Sequence, residues 1–177
     1  MKNIEVEIRS FISKGKYEEL IDFFTKNGEF LNEDDQISHY FDCKEDLRIL
    51  QSNSFAKIWL KKGKMHDEQR EEIEIKYNRD DFEKMEHLLN AIGLNVEIKW
   101  FRKRKNFKWN DIAVTVDYTK GYGYILEFEM MPSEDEKQQS LNFLKQKLNE
   151  LGVEQTPLED FNKAFDHYKK NWKELTK

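Results

Sequence analysis

Three short segments of this chain alternate glutamate with apolar residues: Glu5-Val6-Glu7-Ile8-Arg9, Glu72-Ile73-Glu74-Ile75-Lys76 and Glu127-Phe128-Glu129-Met130. A period of two marks strands with one buried face and one polar face. Glu5, Glu7 and Arg9 therefore share a side, as do Glu72, Glu74 and Lys76, and likewise Glu127 and Glu129. Each segment precedes an amphipathic stretch that stops at a glycine, Gly28, Gly93 or Gly152. A recurring strand–helix unit is enough to explain that repeat. Lys57, Trp59 and Lys61 form another polar row, and Arg102 and Arg104 a fifth. With 37% charged residues, the chain carries more charge than a surface of its size needs, so the destination of these rows is the informative question.

The rest of the chain reads as regular structure without a linker. Tyr17, Leu20, Ile21 and Phe24 have helical spacing and end at Asn27-Gly28. Short strands are expected at Ser38–Asp42, Asp46–Leu50 and Ser54–Lys61, then a polar turn at 62–67 and the strand Glu72–Lys76. A helix follows with Phe82, Met85, Leu88, Leu89 and Ile92 on its apolar stripe. Strands at Val96–Phe107, Ile112–Tyr118 and Tyr124–Met130 complete eight. Ser133 and Glu136 form a capping box ahead of a helix striped by Leu141, Leu144, Leu148 and Leu151. A last helix after Pro157 presents Phe161, Phe165, Tyr168 and Trp172. The expectation is an α+β fold of eight strands and four helices in a single domain, 1–177. An aromatic content of 14% excludes a disordered chain.

The polar rows admit two readings. An ordinary antiparallel sheet leaves its polar face in water. A strongly twisted sheet that curls, with helices outside, turns the same rows toward each other around a polar lumen. The chemistry of the second reading is specific. Arg and Lys hold phosphate oxygens. Paired carboxylates, about 7 Å apart along a strand, hold Mg²⁺ or Mn²⁺, which bridge to phosphate. Phosphoryl transfer then needs mainly positioning and charge neutralisation.

These residues resemble, in order, the motifs of the CYTH superfamily, the triphosphate tunnel metalloenzymes. Glu5-Val6-Glu7-Ile8-Arg9 is similar to the family's Glu-x-Glu-x-Lys signature, and Tyr40-Phe41-Asp42 to its second-strand motif. Arg102-Lys103-Arg104 resembles its Lys-x-Arg pair, and Asp117 through Glu129 its closing signature. Phe161–Leu175 resembles its last helix, with Lys163 near a family lysine. The resemblance implies an eight-stranded antiparallel β-barrel, the triphosphate tunnel, with helices packed outside. It implies metal carboxylates at Glu5, Glu7, Glu127 and Glu129, and phosphate-binding cations at Arg9, Lys57, Lys76, Arg102 and Arg104. Asp117, Glu74, Lys61 and Lys163 are further candidates. The chain departs from the family pattern at Arg9, which replaces a lysine, at Trp59, where a second arginine is common, and at Tyr122, which replaces a leucine. Trp59 either lacks a phosphate contact that others make, stacks a base, or packs.

Other classes fit less well. Lys99 to Trp109 mixes cations and aromatics as single-strand binders do. A net charge of -5 argues against a nucleic-acid partner. The four histidines have no zinc spacing, and no Gly-rich phosphate loop or nucleophile motif is present. No apolar run reaches the roughly 18 residues of a membrane span, no secretory leader is expected, and the lone Cys43 suits a reducing, cytoplasmic compartment. The expected activity is Mg²⁺- or Mn²⁺-dependent hydrolysis of inorganic tripolyphosphate or of a thiamine or nucleoside triphosphate, by a monomer or homodimer. The alternatives are a class IV adenylyl cyclase, making cyclic AMP and pyrophosphate from ATP, and a non-catalytic polyphosphate- or nucleotide-binding module.

Overall fold

The computed structural model describes residues 6–61 and 72–177. Glu5 and the turn expected at 62–67 lie outside them. The described strands are β1 (Val6–Ile12), β2 (Glu29–Phe41), β3 (Asp46–Gln51), β4 (Ala56–Lys61), β5 (Glu72–Tyr77), β6 (Val96–Trp109), β7 (Ile112–Thr119) and β8 (Gly123–Met130). The helices are α1 (Lys14–Asn27), α2 (Phe82–Ala91), α3 (Lys137–Glu150) and α4 (Leu158–Leu175). The eight strands form one antiparallel sheet in the order β1-β8-β7-β6-β2-β3-β4-β5, which with the four helices makes the expected α+β fold. Hydrogen bonds among the described residues run through this order without joining its ends. No helix among the described residues is long and apolar enough to cross a membrane.

The chain divides into two compact units, Met1–Glu33 with Lys103–Tyr168, and Asp34–Arg102 with Lys169–Lys177. In the first unit, α1 begins because the Ser13 hydroxyl accepts a bond from the Lys16 amide. Its stripe buries Leu20 and Phe24 against Ile8, Val114 and Phe128 of the sheet, with Leu144 and Leu148 of α3 in the same core. The Phe24 ring lies between 5.5 and 6.2 Å from those of Phe107, Trp109 and Phe128. Each such fully buried side chain contributes roughly 1.5–3 kcal/mol. The helix stops at Gly28 as expected, but in extended backbone rather than a left-handed cap. Glycine is needed there for space: an added Cβ would lie 2.9 Å from the Lys108 carbonyl. The capping box at Ser133 and Glu136 forms and opens a short 3₁₀ turn before α3. On the edge strand β1, the Ser10 hydroxyl donates to the Glu154 carbonyl and accepts from the Thr156 amide, while Phe11 N–H bonds Thr156 Oγ1. That latch satisfies part of an otherwise open strand edge.

In the second unit, Phe82 and Leu89 of α2 pack on Phe41, Ile49 and Ala56. The expected α2 stripe is only partly used, since Leu88 and Ile92 are exposed. Ile92 already lies past the last helical residue. Strand β2 begins at Glu29 rather than at Ser38. Its first half, Glu29-Phe30-Leu31-Asn32-Glu33-Asp34, lacks alternation, and only its neighbours in the sheet make it a strand.

Candidate functional site

In the first unit, register decides which charges meet. Glu7 of β1 stands directly opposite Glu129 of β8, and Arg9 directly opposite Glu127. Opposed residues on paired strands share a face, with Cβ atoms about 4.5–5.5 Å apart, and like charges so placed repel. Thr115 of β7 is opposite Glu127, which puts the alternate residue Asp117 on that face too. Ile8, Leu126, Phe128, Val114 and Val116, on the other side, are buried in the core. The polar face therefore exists because these strands spend every second residue on α1 and α3.

Arg104 of β6 binds Asp117 with two nitrogens, Nε to Oδ1 at 2.9 Å and Nη2 to Oδ2 at 2.7 Å. Its Nη2 also lies 3.9 Å from Glu127 Oε1. Burial works against the Arg104 cation, but Asp117, Glu127 and Glu7 outweigh it and hold the guanidinium more firmly protonated than usual. Burial pushes the Glu129 carboxyl above the ordinary carboxylate range; nearby Glu127 adds to the effect and Arg104 partly offsets it. Arg9 reaches Glu7 at 3.9 Å, and its guanidinium lies 4.8 Å from the centre of the Phe161 ring in α4. Lys163 is on the exposed side of α4, paired with Glu159 at 2.7 Å.

The remaining candidates belong to the second unit. Lys57 Nζ donates to Glu74 Oε2 at 2.6 Å, and Lys76 lies 3.9 Å from the same carboxylate. Lys57 and Lys76 are opposed across β4 and β5, and Lys61 is opposed to Glu72. Arg102 Nε donates to Gln36 Oε1 at 3.0 Å. Two residues on this face escaped the sequence reading. Asp46 and Arg48 alternate with Leu47 and Ile49 along β3, so their shared side was legible. Their place beside Trp59 depends on register and was not.

A family model for the CYTH domain matches residues 3–160. The chain belongs to the CYTH family. CYTH domains bind triphosphate substrates, and the family is generally enzymatic and metal-dependent. Solved structures share the fold. A conserved hypothetical protein from Pyrococcus furiosus is 22% identical at a TM-score of 0.68, over 85% of this chain and 91% of that one. A Vibrio parahaemolyticus protein, provisionally described as an adenylate cyclase, is 15% identical at a TM-score of 0.66, over 90% and 98%. A Bacillus halodurans protein with the same provisional description is 17% identical at 0.61, over 88% and 93%. No curated protein matches the sequence.

The donor set of this CYTH chain fits a hard divalent cation. Glu7, Glu127 and Glu129 offer only carboxylate oxygens, and the repulsion between them favours a bound positive charge. Among the described residues no three acidic, His or Cys side chains converge into a ready cage. Mg²⁺ does not require one, since it keeps several waters and takes one or two carboxylates together with substrate phosphates.

Proposed function

We propose that this CYTH chain works as one domain that hydrolyses inorganic tripolyphosphate or a thiamine or nucleoside triphosphate. The observation that carries the reading is the cross-strand pairing of Glu7 with Glu129 beside Arg9 with Glu127, backed by the Arg104–Asp117 fork. Glu7, Glu127 and Glu129 hold Mg²⁺ or Mn²⁺, with Glu5 the fourth carboxylate by resemblance. When bound, the cation neutralises charge on the phosphate oxygens. Arg9 and Arg104 bind phosphate oxygens in the first unit, and Asp117 keeps the planar Arg104 fork aimed. Lys57, Lys76 and Arg102 are the phosphate-binding cations of the second. Hydrolysis forms a bond from water oxygen to phosphorus, and the bridging oxygen leaves with its electron pair; the water's proton passes to phosphate or solvent.

The names of the Vibrio and Bacillus neighbours favour a second reading, cyclisation of ATP with release of pyrophosphate. Cyclisation needs recognition of adenine and ribose. Trp59, the one base platform suggested by sequence, is 6% exposed with two cations over its ring, which supports hydrolysis instead. The test incubates the protein with tripolyphosphate, thiamine triphosphate or ATP and Mg²⁺ or Mn²⁺, with and without EDTA. Products are resolved by phosphorus NMR and chromatography. Orthophosphate formed only without chelator is expected. Cyclic AMP with pyrophosphate as the dominant product selects the cyclase, and tight binding without turnover selects a binding module.

A further inference from the structure

In the second unit a lateral row crosses four strands on one face. Tyr40 of β2 is opposite Arg48 of β3, Arg48 is opposite Trp59 of β4, and Trp59 is opposite Glu74 of β5. Asp46 grips Arg48 through Nε and Nη2, both at 2.6 Å. The Arg48 guanidinium then lies 4.2 Å from the Tyr40 ring centre and 5.5 Å from that of Trp59. Lys57, two residues before Trp59 and so on the same face, brings Nζ to 4.7 Å from the Trp59 centroid. The same ammonium donates to Glu74 at 2.6 Å.

A tryptophan that is 6% exposed, with two cations within 6 Å of its centre, has little face left for a ligand's base. What it presents is the negative face of its π system to a cation. A lysine's long stem loses much rotamer freedom when its ammonium is fixed. A ring that already holds the ammonium moves that loss from ligand binding to folding. A ring also adds no net negative charge, so an incoming phosphate must displace only the Glu74 contact. Glu74 then keeps a cation nearby, because Lys76 Nζ is 3.9 Å from its Oε1.

We propose that Trp59 is a positioning residue for Lys57: its ring, buttressed by Arg48 and Asp46, holds the Lys57 ammonium on the polar face in the place where it meets a phosphate oxygen. This rests on the reading of Lys57 as a phosphate-binding residue. Trp59 itself does not touch the ligand.

The experiment compares wild type, Trp59→Phe, Trp59→Leu, Lys57→Met and the double variants, with two readouts. The first needs no ligand: ring current should move the Lys57 ε-methylene protons upfield in the NMR spectrum of wild type and Trp59→Phe, and not in Trp59→Leu. The second is calorimetric binding of inorganic tripolyphosphate with Mg²⁺. Trp59→Leu should weaken it about three- to tenfold, the range of a cation–π contact. Trp59→Phe should recover most of that loss, and Trp59→Leu should change nothing further in the Lys57→Met background. Unshifted Lys57 protons in wild type, or a Trp59→Leu loss of equal size with and without Lys57, overturn the proposal. Wild-type protein that binds no tripolyphosphate overturns instead the triphosphate reading beneath it. Should Trp59→Leu not fold, the wild-type shift decides, and Trp59→Met, which also lacks a ring, takes its place in the binding cycle with Lys57→Met.

Discussion

Truncating Arg104 to alanine removes one half of a two-pronged ion pair whose other half, Asp117, is buried. The Asp117 side chain is 5% exposed, against 21% for Arg104, and the contacts at 2.7 and 2.9 Å have the short lengths of charge-assisted bonds. Breaking a buried pair by deleting one partner costs about 3–5 kcal/mol, because the remaining buried charge loses the cation that compensated it. Arg104 keeps some solvent contact, so the lower end applies, about 3 kcal/mol. For a chain of this length that corresponds to a fall in Tm of about 6–12 °C. The assay is urea unfolding at pH 7 followed by circular dichroism, with calorimetry for Tm. The paired replacement Arg104→Met with Asp117→Leu should recover a good part of the loss, since two apolar side chains leave no stranded charge. A loss below about 1 kcal/mol, the size of an exposed ion pair, would refute the reasoning. So would a double variant equal to the sum of the two singles.

A divalent cation should stabilise the fold, since the opposed Glu7 and Glu129 repel without one. Mn²⁺ or Mg²⁺ at a hundred times its Kd adds about 2.7 kcal/mol, and Glu129→Gln should abolish most of that response in thermal melts. His39 supplies a pH dependence. Burial, aided by Lys99, lowers its pKa to about 4, although its Nδ1 is 2.9 Å from the Glu86 carboxylate, which pulls the other way. Because the folded value lies below the unfolded one, the contribution to stability is complete above pH 6.5 and is lost as the pH falls toward 4. Over that window the loss is roughly 2–3 kcal/mol. Unfolded in urea at pH 7 and pH 4.5, wild type should lose more stability than His39→Gln by about that amount, and parallel profiles would remove His39 from the account.

Strands β1, β5 and β8 were legible in the sequence because alternation is local: each residue's face follows from its parity alone. The same holds for the Ser133–Glu136 capping box and the stripe of α3, where partners sit three or four residues apart. The first half of β2 was not legible, because Glu29 to Asp34 has no periodicity and takes its conformation from the strands beside it. In α2 the apolar stripe is legible as helical, but Leu88 and Ile92, which belong to it by spacing, stay exposed. Gly28 was read as a helix stop, and the reason for a glycine there, a carbonyl from Lys108 close overhead, comes from a residue far along the chain.

For the candidate site the division is the same. Parity along single strands put Glu7 with Arg9, Glu127 with Glu129, and Lys57 with Trp59 and Lys61, and family order named their chemistry. Which side chains face one another across strands had no local signal. Register set by the whole sheet placed Glu7 against Glu129, gave Arg104 to Asp117, and laid Arg48 and Lys57 beside the ring of Trp59. Sequence by itself determines the face on which a charge stands, because the pleat repeats every two residues. Only the tertiary structure decides its neighbour, because hydrogen-bond register is a property of two strands and is pinned by the packing of both.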